Sequence, residues 1–144
     1  MTMHVAALTS RAVIAVAGPD WRSFLQGLIT QDVETLAEGE ARFGALLTPQ
    51  GRLLYDLFVT TWQDNGLLDV ERARLPEIVQ RLTIYRLRAK VDIAEAPVAV
   101  WAAWPRAAAP PGWLADPRLP ALGARGYRVR DIPAATAKEA GYGA

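Results

Sequence analysis

Hydrophobic and polar positions along this 144-residue chain change their period several times, and each change marks an expected element. Arg11–Ala17 places Val13, Ile14 and Val16 together and predicts a short buried strand. Gly18-Pro19-Asp20 then opens a helix, since proline suits the first turn and an acid suits the positive end of the dipole. Trp21, Phe24, Leu25, Leu28 and Ile29 recur at helical spacing and form one apolar face, which Thr30-Gln31-Asp32 ends. Strands are predicted over 41–48 and 53–62, joined by the turn Pro49-Gln50-Gly51. Asp64-Asn65-Gly66 is a second turn, and 67–71 is the third strand of a meander. Leu75, Ile78, Val79 and Leu82 mark a second helix. In 87–93, Leu87, Ala89, Val91 and Ile93 alternate with Arg88, Lys90 and Asp92, which predicts a strand; 97–104 is another.

The resulting order, β-α-β-β-β-α-β-β, predicts an α+β fold: an antiparallel sheet with both helices on one face, ferredoxin-like, with a split β-α-β connection. Residues 1–104 are expected to form the main domain, and 105–144 a partial second subdomain. Within the latter, Ala107–Gly112 reads as a loop, 118–126 as irregular, Tyr127–Arg130 as a short strand, and 132–144 as a frayed tail.

Composition narrows the chemistry. Hydrophobic residues make up 51% and charged residues 22%, which is globular rather than disordered. A formal charge of +1 gives no basic excess for direct nucleic-acid binding. There is no cysteine, and His4 is the only histidine, so these 144 residues offer no Cys- or multi-His-ligated metal and no Ser/His/Asp triad. No apolar run is long enough to span a membrane, and no signal peptide is legible, so the expected location is cytoplasmic.

The return strand 53–62 is the most informative stretch. Leu53, Tyr55, Leu57 and Val59 share one face, while Leu54, Asp56 and Phe58 share the other. Two apolar faces predict a central strand covered on both sides. Asp56 is then a carboxylate in an apolar row, which is costly unless it is paired. It either meets a polar ligand group or forms a structural ion pair with Arg42, Arg86 or Arg88. Arg88 and Lys90, about 7 Å apart on one strand face, either suit an anionic ligand or belong to a solvated surface. Glu71-Arg72-Ala73-Arg74 reads as a cap or as a site, and so does Gln31-Asp32. Trp21, Trp62, Trp101 and Trp104 suit packing; Trp113 lies in a loop where an aromatic could stack on a flat ligand.

Three segments together resemble a known family. Phe24-Leu25-Gln26-Gly27-Leu28-Ile29-Thr30-Gln31-Asp32-Val33 looks like the early helix and stop of YgfZ-type folate-binding proteins. Leu47–Asp56 is similar to their P-x-G-R-x-x-x-D hairpin, and Tyr85–Val91 to their Y-x-L-R-x-K-V segment. The family also takes in mitochondrial iron–sulfur assembly factors and is related to the glycine-cleavage T-protein, a tetrahydrofolate-dependent aminomethyltransferase. The resemblance implies a tetrahydrofolate site and a role in assembling or repairing iron–sulfur enzymes, with dependent tRNA modification. It implies Asp56 nearest the reacting centre, as the candidate catalytic residue. It implies Tyr55 and Glu71 in the cavity wall and Arg88 and Lys90 toward the pteroylglutamate side. No metal ligands are implied.

The T-protein carries two acids where this chain has Tyr55-Asp56, which disfavours aminomethyl transfer. The family's later K-G-C-Y-x-G-Q-E motif and C-terminal barrel are not found up to Ala144. A fragment, a truncated product or half of a split protein is therefore expected, with weak folate affinity and no catalysis by this chain alone. Three expectations follow: a tetrahydrofolate-binding accessory protein working with iron–sulfur assembly machinery or client enzymes, an aminomethyltransferase, or a non-catalytic module that forms homodimers through exposed apolar surface.

Overall fold

A computed structural model describes residues 4–104, 114–115, 117–118 and 124–128. The strands are β1 (His4–Ala7), β2 (Arg11–Ala17), β3 (Ala41–Leu47), β4 (Leu53–Trp62), β5 (Asn65–Glu71), β6 (Asp92–Ala96), β7 (Ala99–Trp104), β8 (Leu114–Ala115) and β9 (Ala124–Arg128). The helices are α1 (Trp21–Gln26) and α2 (Leu75–Tyr85), the latter preceded by a 3₁₀ turn at Arg72–Arg74.

Five strands form one sheet in the order β3-β4-β5-β2-β6, with every pairing antiparallel. β5 and β6 run parallel to each other on either side of β2, and α2 joins them. This is the split β-α-β connection predicted from the sequence. Both helices cover one face of the sheet. Trp21, Phe24 and Leu25 of α1 and Ile78 and Leu82 of α2 pack on Ile14, Val16, Leu57, Val59, Leu68 and Val70. Each fully buried aliphatic side chain of this kind contributes about 1.5–3 kcal/mol, so this face is the main core.

The opposite face is covered by a second sheet, which the sequence did not predict. Its order is β1-β7-β9-β8. Val100 of β7 packs on Val13, Leu67 and Ala96. The strands of this second sheet come from both sides of residue 104.

Two local expectations are corrected. The turn between β4 and β5 is Gln63-Asp64, both at positive φ (51° and 61°), as a two-residue hairpin requires. It is not Asp64-Asn65-Gly66. Gly66 is instead a strand residue beneath Trp21: a Cβ there would lie 2.6 Å from Trp21 Cε3. The second correction concerns 87–93. The strand begins only at Asp92, opposite Ala17, and Arg86–Arg88 is a turn. The alternation is overridden because the Lys90 backbone is held by Asp20, just before α1. Lys90 N–H donates to Asp20 Oδ2 at 2.8 Å, and Asp20 N–H donates to the Lys90 carbonyl at 3.4 Å. A segment whose polar backbone groups are taken by a loop has none left for a ladder. Ala107–Gly112, Trp113 and the tail 132–144 lie outside the described residues.

Candidate functional site

β4 enters the sheet from the Pro49-Gln50-Gly51 turn, and its first residues stand beyond the covered part of both faces. Leu57 to Thr61 are buried, whereas Asp56 is exposed. The expectation of a carboxylate buried in an apolar row is thus corrected. The apolar neighbour Leu54 is itself only half-buried, and the second sheet covers β4 from Phe58 onward rather than at Asp56. None of the three expected ion pairs forms: among the described residues Asp56 makes no salt bridge, and Arg42 pairs with Glu40.

Three of the residues singled out in the sequence do come together. Tyr55, Asp56 and Glu71 line one open cleft of about 280 Å³ with Leu54, Arg74 and Ile78. The end of β5 supplies Glu71, and the 3₁₀ turn that follows supplies Arg74. Tyr55 donates its hydroxyl to Glu77 Oε2 at 2.7 Å, and Glu77 also pairs with Arg74 at 3.5 Å. The bond to Glu77 raises the Tyr55 phenol above its usual range, and the same bond lowers the Glu77 carboxyl. Tyr55 therefore stays protonated, with its proton committed to Glu77. Asp56 and Glu71 are the carboxylates of the cleft without a salt bridge among the described residues.

Arg88 and Lys90 do not line this cleft. Lys90 lines a separate groove with Gly18, Arg86, Leu87 and Asp92, and Arg88 is exposed on the adjoining turn. They do not share a strand face. Gln31 and Asp32 have structural roles: Gln31 Nε2 donates to the Phe43 carbonyl at 2.8 Å, and Asp32 accepts from Glu34 N–H and the Thr35 hydroxyl at 3.0 Å each.

A buried carboxylate that the sequence pattern did not single out holds three side chains together. Asp69 of β5 is 1% exposed. Its Oδ1 accepts from Arg11 Nε at 2.8 Å. Its Oδ2 accepts from Arg125 Nε at 2.9 Å and the Tyr127 hydroxyl at 2.7 Å. The Arg125, Arg118 and Arg11 guanidiniums lie 4.0, 4.8 and 5.7 Å from the Phe58 ring centre. Leu67-Leu68-Asp69-Val70, a carboxylate inside an apolar strand, was the available signal. Arg125 and Tyr127 lie 56 and 58 residues away on β9, which begins at Ala124, inside the stretch expected to be irregular, and ends at Arg128 rather than Arg130.

Sequence relatives and the fold define the class of protein. The structure matches the crystal structure of glycine cleavage system aminomethyltransferase T from Bartonella henselae with a TM-score of 0.63 over 71% of this chain and 28% of that one, at 19% identity. At that identity the likeness is one of fold. No protein-family profile matches the chain. In sequence, it is 34% identical over 85% of its length to the mitochondrial iron–sulfur cluster assembly factor IBA57 homolog of Coccidioides immitis. It is 30% identical over 93% of its length to the corresponding protein of Mycosarcoma maydis. The chain belongs with these proteins in the YgfZ/T-protein (GcvT-like) superfamily. It spans 35% and 39% of the length of these two relatives. Both are mitochondrial proteins, which overturns the cytoplasmic location expected above. The lack of a legible targeting segment in a chain covering about a third of its relatives carried no information about compartment.

Proposed function

We propose that this chain provides part of a tetrahydrofolate-binding accessory protein for iron–sulfur cluster assembly or repair. The observation that carries the reading is the sequence match to iron–sulfur cluster assembly factors over 85–93% of the chain. The composition of the cleft agrees with it. A pterin edge presents adjacent N–H donors, which a carboxylate accepts in pairs. Asp56 and Glu71 supply carboxylates, and the half-buried Leu54 and Tyr55 line the cleft beside them. The cleft falls just below the range of about 300–1,000 Å³ usual for small-molecule pockets. It suits the ring system rather than a whole pteroylglutamate, so weak affinity is expected of this chain alone. The partners would be iron–sulfur assembly proteins or client enzymes, and tRNA modification would depend on the protein through those clients.

The test is a tetrahydrofolate titration followed by tryptophan fluorescence, on the wild type and on Asp56→Ala. Saturable quenching that the substitution weakens about tenfold, or about 1.4 kcal/mol, is the expected result. Equal titration curves would remove Asp56 from the site. No saturation of the wild type at millimolar folate would sink the binding reading for this chain.

A further inference from the structure

The strands β4 and β5 separate at one point. From Phe58↔Asp69 to Trp62↔Asn65 a ladder joins them. Among the described residues, Tyr55, Asp56 and Leu57 pair with β3 alone, while Val70 and Glu71 pair with β2 alone. The cleft lined by Tyr55, Asp56, Glu71 and Arg74 lies in the fork that this divergence opens. A ladder holds neighbouring strands about 4.8 Å apart. No ladder does so here, so the backbone alone does not fix the spacing of Asp56 from Glu71.

Side chains span the fork instead. The Tyr55 hydroxyl donates to Glu77 Oε2 at 2.7 Å, and Arg74 donates to Glu77 Oε1 at 3.5 Å. Glu77 is thus bonded through both oxygens, once to β4 and once to the 3₁₀ turn that continues from Glu71. Arg81, one turn further along α2, lies by the same phenol. A short bond from a hydroxyl to a carboxylate is about twice as strong as a neutral one. Glu77 does not itself line the cleft.

We propose that Tyr55 and Glu77 form a latch that sets the width of this fork, and with it the spacing of Asp56 from Glu71. Glu77 is then a positioning residue, acting on the cleft through Tyr55 and Arg74. The consequence for binding rests on the folate reading of the cleft. Two carboxylates at a fixed spacing accept from one flat ligand edge together, and at a drifting spacing they accept singly. A second role of Glu77 is separable from this one. It is the acid in the first turn of α2, where its charge favours the helix. Glutamine keeps an acceptor for Tyr55 and removes the charge, whereas alanine removes both.

Amide hydrogen exchange on the full chain tests the latch without any ligand. The Ala45 backbone bonds to Thr30, so the pairs bonded between β3 and β4 are Gly44–Leu57 and Leu46–Tyr55. Tyr55→Phe and Glu77→Ala are expected to speed exchange of the Tyr55 and Leu57 amide protons about tenfold or more. Exchange over Phe58 to Trp62 is expected to be unchanged, and Glu77→Gln to stay near the wild type. Tetrahydrofolate titration of the same proteins is the second measurement. Tyr55→Phe and Glu77→Ala are expected to weaken binding about tenfold, and Glu77→Gln much less. Three results would overturn the proposal. One is unchanged exchange at Tyr55 and Leu57 in Tyr55→Phe. Another is equal effects of Glu77→Gln and Glu77→Ala, which would leave Glu77 only its helix charge. The third is wild-type folate affinity in a variant whose strand has loosened. A wild type that binds no folate, with loosening confined to Tyr55 and Leu57 in the variants, would support the latch and remove the folate reading, so the two failures are told apart.

Discussion

Asp69 holds two guanidiniums and a phenol with one carboxylate, in a position 1% exposed. Charge taken out of water at this depth is stable only because each partner supplies short, well-directed bonds. Removing the carboxylate leaves Arg11 and Arg125 without it in the inter-sheet layer. Asp69→Ala is therefore expected to lower unfolding free energy by about 3–5 kcal/mol, measured by urea denaturation. Asp56→Ala, at an exposed position with no salt bridge, is expected to stay within about 0.5 kcal/mol of the wild type. The contrast shows what was legible at this scale. Both aspartates interrupt apolar strands, so the pattern marks each as needing a partner. Which one is buried depends on where the second sheet begins, and that is decided by residues far away in the chain. The cleft residues Tyr55, Asp56 and Glu71 were all marked in the sequence, but the partners of Asp69 were not.

At the scale of elements, the junction between β2 and α1 controls the segment after α2. Gly18 has φ 116°, and a Cβ there would lie 2.4 Å from the Lys90 carbonyl oxygen. Gly18→Ala meets both an unfavourable backbone conformation and a fixed backbone atom. A loss of about 1–3 kcal/mol is expected, read as a lower thermal midpoint. Gly27 is the control. It has helical φ and ψ, and the nearest atom to an added Cβ is 3.9 Å away. Gly27→Ala is expected to be neutral or to stabilise by up to about 1 kcal/mol. An equal loss in both variants would show that the close approach of Gly18 to Lys90 does not matter. The strands β2, β3 and β4, helix α2 and the start of α1 could be read from periodicity, but α1 ends at Gln26, and Ile29, expected on its apolar face, bridges to Leu46 instead. The segment 87–91 was misread because its alternation is genuine while its backbone is held by Asp20. β1 was missed because His4-Val5-Ala6-Ala7 has little strand propensity of its own. Its strand character comes from pairing with β7, about a hundred residues away.

For the whole molecule, the two sheets meet over an apolar layer, Val13, Leu67, Ala96 and Val100, and over the Asp69 cluster. Tyr127 reports on that contact. Burial pushes its phenol well above the usual range, and the neighbouring Asp69 charge adds to this. The folded state therefore keeps the proton at pH values where the unfolded chain gives it up. Below an ordinary phenol pKa of about 10, both states are protonated and the full stabilisation is present. Above it the unfolded state binds fewer protons, so stability falls with rising pH until Tyr127 ionises in the folded state too. At about pH 11, one unit above the unfolded value, the loss attributable to this one group is about 1.4 kcal/mol. Tyr127→Phe gives up one hydrogen bond to Asp69 at every pH, but it has no proton to lose. Urea denaturation at pH 8 and pH 11 is expected to show a smaller alkaline loss in the variant than in the wild type, by about that amount. Equal losses would mean that the Tyr127 hydroxyl is hydrated in solution and that the sheets are joined by the apolar layer and the two arginines alone.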